Sequence, residues 1–474
     1  MRLYLTTLFC FFFISIYSQQ NQAVRKFLDA IGDASVSICV KDMTGRDIVV
    51  HNKETALTPA SILKVVTSAT ALEILGDDYR FRTALSVDKN NLQHLVVHGY
   101  GDPTLGSEYL KQPDFIKAWI PYIQKNIVTD KPVDITIVDD YFGYSGVSSK
   151  WIQEDLGNYF AAGSYGISVF DNTYRLYFNT MRTDTCPVIL KTVPEMADMF
   201  FLNTLGFNTT GKDNGYINGE PFSNYRKLVG DIPAKKTSFV LKGDIPDPGL
   251  MLGKALVQNM GEVNYSINGV STTRKLYYRN MFSSNKSYPF EENVFYTHLS
   301  QPLSEIIKVV NFRSNNHYTE HLMRAVGRAN NNDIYTDALS EGIIATKLFW
   351  KSKGVDSDRM FIYDGCGLAP SNKISAEALC DILLYMQNKS KYSQSFLASM
   401  PKAGKEGTVR NLLKGTKLEG KISVKSGSIA EVQCFSGYYI EGNKKYVFTV
   451  MVNNYNSPRK QVVKAIENLL LDVF

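Results

Sequence analysis

The chain has 474 residues, 44% of them hydrophobic, enough apolar material for two or three domains with cores of their own. Its formal net charge of +6 is mild and has no concentrated Lys/Arg tract behind it, which does not suggest nucleic-acid binding and merely permits proximity to an anionic cell wall. Five cysteines beyond the N-terminal segment (Cys39, Cys186, Cys366, Cys380 and Cys434) are scattered with no C-x-x-C pair, so neither a zinc site nor a disulfide framework is indicated and small buried residues are expected.

In chain order, Met1-Arg2, an apolar run from Leu3 to Tyr17 and the polar Ser18-Gln19-Gln20-Asn21 have the form of a cleavable secretion signal, residues 1–18. The run is short for a membrane span, so an exported, periplasmic protein is expected, soluble or loosely membrane-associated. Removing the segment takes away only Arg2 and leaves a charge of +5. A short helix is expected at Gln22–Ala30, then strands at Ala34–Val40 and Asp47–His51 around a turn. Thr58-Pro59-Ala60-Ser61-Ile62-Leu63-Lys64 reads as a helix opening. Thr58 caps it, Pro59 takes the first position, Ile62, Val65, Val66, Ala69 and Leu72 form an apolar face, and Gly76 stops it.

From Thr83 the texture changes to short alternating strands separated by Asn, Gly and Pro, among them Leu92–His98, Asp134–Val138, Gly166–Val169 and Tyr174–Phe178. Cys186–Lys242 reads as irregular and β-rich, Pro248–Asn259 as a helix, and a strand pair is expected around Lys275–Asn280. Helices return at Leu303–Phe312, Tyr318–Ala329, Leu339–Ser352 and Ser375–Met386. Strands at Lys421–Lys425, Phe435–Ile440 and Tyr446–Val452 and a helix at Pro458–Leu471 close the chain. Strands at both ends around a helical cluster predict an α+β fold, an antiparallel sheet flanked by helices, with the β-rich middle inserted.

Ser61 and Lys64 share one helical face, close enough for an amine to take a proton from a hydroxyl that is otherwise a weak nucleophile. Ser-x-x-Lys also occurs at Ser86/Lys89, Ser283/Lys286, Ser399/Lys402 and Ser457/Lys460, which read as solvated polar pairs near turns. Two further patterns follow in order. Ser314-Asn315-Asn316 is a polar corner between two helices, and Lys425-Ser426-Gly427 ends a strand and occurs once. Gly99-Tyr100-Gly101-Asp102-Pro103-Thr104-Leu105, Trp151 with Glu154-Asp155-Leu156, Pro246-Asp247-Pro248, Pro302-Leu303-Ser304-Glu305-Ile306, Asp364-Gly365-Cys366-Gly367-Leu368 and Gly407-Thr408-Val409-Arg410 accompany them.

The set resembles the penicillin-binding proteins and serine β-lactamases, and within them the three-domain D-alanyl-D-alanine carboxypeptidase/endopeptidase family, the class C penicillin-binding proteins. The resemblance implies a penicillin-binding/β-lactamase-like transpeptidase domain with a large β-rich insertion. Its expected parts are residues 19–83 and 289–474 for the catalytic domain and 84–288 for an inserted region of two nested domains. It implies a serine-type carboxypeptidase/endopeptidase acting on peptidoglycan stem peptides that end in D-Ala-D-Ala, needing no cofactor or metal and acylated by β-lactams. Ser61 would be the nucleophile and Lys64 the general base. Ser314 would relay protons to the leaving amine, and Asn316 would hold Lys64 and the substrate amide. Lys425, with Ser426 and Gly427, would receive the substrate carboxylate, and the backbone N–H groups of Ser61 and Ser428 would form the oxyanion hole. Asn315 stands where Asp is commoner, Ser426 where Thr is, Cys366 where Ser is and Tyr100 where Gly is; none of these removes a catalytic group.

The rival readings are a serine β-lactamase, a wall-binding protein without catalysis, and a zinc peptidase. The last rests on His317-Tyr318-Thr319-Glu320-His321, which fits H-x-x-E-H, with the two His as ligands and Glu320 as base.

Overall fold

The structure is a computed structural model that describes residues 22–112, 114–279 and 291–474; the expected export segment and the Ser283/Lys286 pair lie outside them. The chain divides into two compact units, one of residues 22–77, Leu303–Asn315 and Ile343–Phe474, the other of Asp78–Pro302 and Asn316–Gly342.

The first unit is built on a five-stranded sheet in the order Ile422–Ile429, Val432–Glu441, Lys444–Asn453, Ser35–Asp42, Asp47–His51. Every neighbouring pair is antiparallel. Period-two alternation sorts its side chains to opposite faces. Val36, Ile38 and Val40 join Phe27 of the 22–31 helix and Val462, Ile466 and Leu470 of the Arg459–Val473 helix in one core. Lys41 turns to the other face and reaches Asp381 on the Ala376–Asn388 helix at 2.6 Å. Ser375 caps that helix by accepting from the Ala378 N–H at 3.1 Å.

The helix Lys64–Leu75 carries the expected apolar set, with Ile62, Val65, Val66, Ala69 and Leu72 all fully buried. Its other faces are buried as well from Lys64 to Leu72, so it is a central helix rather than an amphipathic surface one. The polar groups this buries find partners. Thr70 accepts from the Trp350 indole N–H at 2.8 Å and donates to the Val66 carbonyl at 2.8 Å. Gly76 ends the helix at φ +95°, a conformation open to glycine.

The second unit holds a mixed sheet in the order Ile267–Thr272, Val133–Val138, Asn91–Gly99, Arg82–Asp88, Glu292–Leu299. Asn91–Gly99 and Val133–Val138 run parallel, and the crossover between them passes through the helix Phe115–Asn126. Trp119 and Ile123 of that helix share a core with Leu252, Leu256 and Met260 of the helix Pro248–Gly261. Pro246-Asp247-Pro248 is the start of that second helix: Asp247 accepts from the Leu250 N–H at 2.9 Å and Pro248 occupies the first turn. The Cys186–Lys242 stretch is β-rich, with strands at Val188–Val193, Phe200–Asn203, Gly206–Asn208, Tyr216–Asn218, Tyr225–Val229, Asp231–Pro233 and Phe239–Asp244.

One element differs in kind from expectation. The stretch after Ile267–Thr272 is the helix Thr273–Arg279, not a strand pair. Thr272 Oγ1 accepts from the Lys275 N–H at 3.3 Å, so a threonine at the strand end starts a helix. Among the described residues no helix is long and apolar enough to cross a membrane.

Candidate active site

Ser61 lies in a single turn of 3₁₀ helix, Ala60–Leu63, that runs directly into the helix Lys64–Leu75. The expected Thr58 cap is corrected here. The N-cap is Pro59, without a side-chain hydrogen bond, and the Thr58 hydroxyl instead accepts from Lys373 Nζ at 2.6 Å. The physical reason is Ala60. It is held at φ +47°, in the left-handed region that costs a non-glycine residue energy, and this tightens the entry into a 3₁₀ turn.

Two glycines hold the turn from opposite sides. A Cβ on Gly367, itself at φ +83°, would stand 1.9 Å from the Ala60 carbonyl oxygen. A Cβ on Gly427 would stand 2.5 Å from the Pro59 carbonyl oxygen and 2.9 Å from the Ser61 nitrogen. The third-motif strand therefore lies against the Ser61 turn. This strand, Ile422–Ile429, is the edge of the five-stranded sheet, paired on one side with Val432–Glu441.

Ser61 is partly exposed and Lys64 fully buried. Lys64 Nζ donates to Ser61 Oγ at 3.0 Å and to the Cys366 carbonyl at 2.7 Å. The second contact explains the Asp364-Gly365-Cys366-Gly367-Leu368 loop. Asp364 accepts from the N–H groups of Gly367 at 2.7 Å and Ala369 at 2.6 Å, and from Asn372 Nδ2 at 2.9 Å, which folds the loop so that its carbonyls face the helix. Thr67 Oγ1 donates to the neighbouring Gly365 carbonyl at 2.6 Å. The Cys366 side chain is buried, and the residue acts through its backbone oxygen.

Ser314 follows the helix Leu303–Arg313 at φ +54° and accepts from Lys425 Nζ at 2.9 Å. Lys425 Nζ also donates to the Ser426 carbonyl at 2.6 Å. Burial, and secondly the charge of Lys64, hold the Lys425 ammonium well below the usual lysine range. Ser426 Oγ and Thr408 Oγ1 are 2.9 Å apart. A Cβ on Gly407 (φ +51°) would meet the Phe312 carbonyl oxygen at 2.6 Å, so the Gly407–Val409 turn packs on the end of the helix that delivers Ser314. In the first unit, then, Ser61 and Lys64 form one pair and Ser314, Lys425 and Ser426 a second group, and the charge of Lys64 is felt at Lys425.

Asn316, two residues beyond Ser314, opens the helix Asn316–Asn330 of the other unit, and its Nδ2 donates to the Phe160 carbonyl at 2.7 Å. This helix carries the H-x-x-E-H motif, and its His321 and Glu320 are committed elsewhere. His321 meets Ser168 Oγ through Nε2 at 2.9 Å and the Gly101 carbonyl through Nδ1 at 2.8 Å. Glu320 accepts from Arg324 at 2.8 Å, both side chains fully buried. The zinc reading is corrected accordingly: these are packing and ion-pair residues of a buried helix. Gly99–Leu105 is part of their support, since the Gly101 carbonyl that His321 meets precedes Asp102, whose carboxylate accepts from the Thr104 N–H at 2.8 Å and hydroxyl at 2.7 Å. Two of the other Ser-x-x-Lys serines are not solvated either. Ser86 and Ser399 are fully buried and donate to the Val96 and Phe396 carbonyls at 3.2 and 2.7 Å.

Comparison with known proteins agrees with this architecture. The solved structure of penicillin-binding protein 4 (dacB) from Haemophilus influenzae matches with a TM-score of 0.77 at 20% identity, over 94% of this chain and 98% of that one. The profile of the D-Ala-D-Ala carboxypeptidase 3 (S13) family matches residues 20–472. A D-alanyl-D-alanine carboxypeptidase of Actinomadura sp. (strain R39) is 25% identical over 468 residues, 93% of this chain and 83% of that protein. The D-alanyl-D-alanine carboxypeptidase DacB of H. influenzae is 22% identical over 90% of this chain and 86% of its own. The fold is that of the penicillin-binding proteins and serine β-lactamases. Within that class the chain belongs to the D-Ala-D-Ala carboxypeptidase 3 (S13) family, and it is a serine-type hydrolase.

Proposed function

We propose that the enzyme cleaves the D-Ala-D-Ala bond of peptidoglycan stem peptides, or the equivalent cross-link, through an acyl-enzyme on Ser61. The observation that carries this reading is the 3.0 Å contact between the buried Lys64 Nζ and Ser61 Oγ, on a turn lined by Gly367 and Gly427. Ser61 Oγ attacks the carbonyl carbon of the penultimate D-Ala as its proton passes to unprotonated Lys64 Nζ. The backbone N–H groups of Ser61 and Ser428 take the oxyanion. The C–N bond breaks, and the leaving amine receives a proton through Ser314, whose hydroxyl is joined to Lys425. Water then cleaves the ester and returns its proton along the same groups. Lys425 receives the terminal carboxylate beside Ser426 and Gly427, and Asn316 holds the substrate amide.

A β-lactam presents a strained amide and a carboxylate to the same groups, so it acylates Ser61 and stays. The H. influenzae neighbour has itself been solved in complex with a β-lactam. The substrate lies outside the cytoplasm, as the export segment expected at Met1–Ser18 requires.

Intact-protein mass spectrometry with labelled penicillin tests the reading. One adduct mapped to Ser61, absent from Ser61→Ala protein that also fails to release D-Ala, is expected. Release of D-Ala by Ser61→Ala at the parent rate refutes it, and rapid multiple turnover of penicillin favours a β-lactamase.

A further inference from the structure

The exposed side of an antiparallel sheet is ordinarily polar, and one small sheet of the second unit departs from this. Its strands lie in the order Tyr216–Asn218, Tyr225–Val229, Phe200–Asn203, the central one antiparallel to the first and parallel to the last. Ile217, Arg226 and Leu228 face inward and are fully buried, with the Arg226 guanidinium paired to Asp244 at 2.9 Å. The outward set is mostly aromatic and aliphatic, with Lys227 and Asn218 beside it: Phe200 is 60% exposed, Leu202 63%, Tyr225 71% and Tyr216 46%. Register places Phe200 beside Tyr225, and Leu202, Lys227 and Asn218 in the next row. The Phe200 and Tyr225 rings stack with centroids 5.3 Å apart and planes 22° from parallel. A groove of about 520 Å³ borders the Tyr225 side of this pair, lined by Leu202, Asn218, Tyr225 and Lys227, with Glu154 and Glu220 also on its walls.

An apolar patch of this kind marks a binding surface, and its size and chemistry select the occupant. Three strands about 4.8 Å apart and about four residues long span roughly 10 by 13 Å. That is far below the about 800 Å² per partner of a stable protein interface. An anionic bilayer attracts basic faces, whereas here the single Lys227 stands among the acids Glu154 and Glu220. A narrow polymer of pyranose rings fits. Sugar C–H faces lie on flat aromatic rings, hydroxyl and acetamido groups exchange hydrogen bonds with Asn218 and the two glutamates, and Lys227 can meet a carboxylate on the chain.

We propose that this face is a glycan-binding platform for a chain of β-1,4-linked N-acetylhexosamines, holding the enzyme on the polymer whose peptide branches it cuts. The role, though not the binding chemistry, rests on the peptidoglycan reading above. Every substitution needed to test it falls on an exposed side chain.

The full chain is mixed with insoluble cell-wall glycan stripped of its stem peptides, and separately titrated with the N-acetylglucosamine tetramer. The parent and Tyr225→Trp proteins should be retained. The double variant Phe200→Ala/Tyr225→Ala should bind at least about tenfold more weakly, with hydrolysis of a soluble D-Ala-D-Ala peptide unchanged. Equal retention of parent and double variant overturns the platform, as does a parent that ignores both probes, or a concentration-dependent dimer that the double variant abolishes. The two readings stay separable. Retention that depends on Phe200 and Tyr225 supports the platform even where D-Ala release fails, and D-Ala release with indifferent retention removes the platform and leaves the activity standing.

Discussion

Lys425 in the first unit and Arg324 in the second are both fully buried cations, and they are treated in opposite ways. Arg324 faces the carboxylate of Glu320 at 2.8 Å and the carbonyls of Ser145 and Gly146 at 3.1 and 3.0 Å. Among the described residues the hydrogen-bond partners of Lys425 are uncharged oxygens, Ser314 Oγ and the Ser426 carbonyl, and the charge felt there is the like one of Lys64. A neutralised buried cation is structure. One left short of a counter-charge fits the carboxylate receptor proposed above, because an arriving carboxylate would supply what the fold withholds.

The comparison can be broken first on the structural side. Arg324→Met removes the cation that faces the buried Glu320 carboxylate, and denaturant unfolding should show a loss of about 3–5 kcal/mol; a loss under about 1 kcal/mol would mean the pair is dispensable. Lys425→Met should behave in the opposite way. Removing one charge-bearing donor from the site should lower kcat/KM on carboxylate-ended peptides by about 10²-fold, while the melting temperature stays level or rises because a desolvated ammonium has gone. A destabilised but active Lys425→Met protein would invert the assignment.

A pH series sharpens the same contrast with a smaller effect. Lys425 has a folded pKa below its unfolded one, so between the two values the unfolded chain binds the extra proton and stability rises with pH. A substrate carboxylate favours the charged form, so 1/KM should fall as pH rises through the lowered pKa, by up to about tenfold per pH unit. Substrates ending in an amide, or the Lys425→Met variant, should show no such slope. The smallest effect belongs to Thr408→Val, which takes away the 2.9 Å partner of Ser426 and should cost about 1 kcal/mol, a few-fold in kcat/KM with little change in melting temperature.

The legible parts of this molecule are those that local pattern determines. The Leu303–Arg313 helix and the Lys444–Asn453 strand follow from apolar periodicity, and the central helix from its apolar run and the Gly76 that ends it. The three short motifs could be read because each keeps its reactive groups within a few residues. What escaped depends on neighbours distant in the chain. Thr58 has the chemistry of a cap, but Lys373 claims its hydroxyl. The Phe115–Asn126 helix went unread because Pro121 sits inside it, where a proline ordinarily argues against a helix. The Cys366 carbonyl, which receives Lys64, is a backbone atom, and side-chain identity carries no sign of such a role. Nor does spacing reveal that Gly367 and Gly427 are glycine because Ala60, Pro59 and Ser61 leave no room for a methyl group.

The order of strands in the first unit also sets a timetable. Ser35–Asp42 pairs along its length with Lys444–Asn453, and the strand bearing Lys425 reaches the rest of the sheet only through Val432–Glu441. A growing chain therefore carries Ser61 and Lys64 for most of its synthesis without the sheet edge that Gly427 brings against them. The ribosome has to finish nearly the whole polypeptide before Lys425 and Gly427 are in place beside the Ser61 turn, so a truncated product holds the serine and the lysine without the third motif that packs against them.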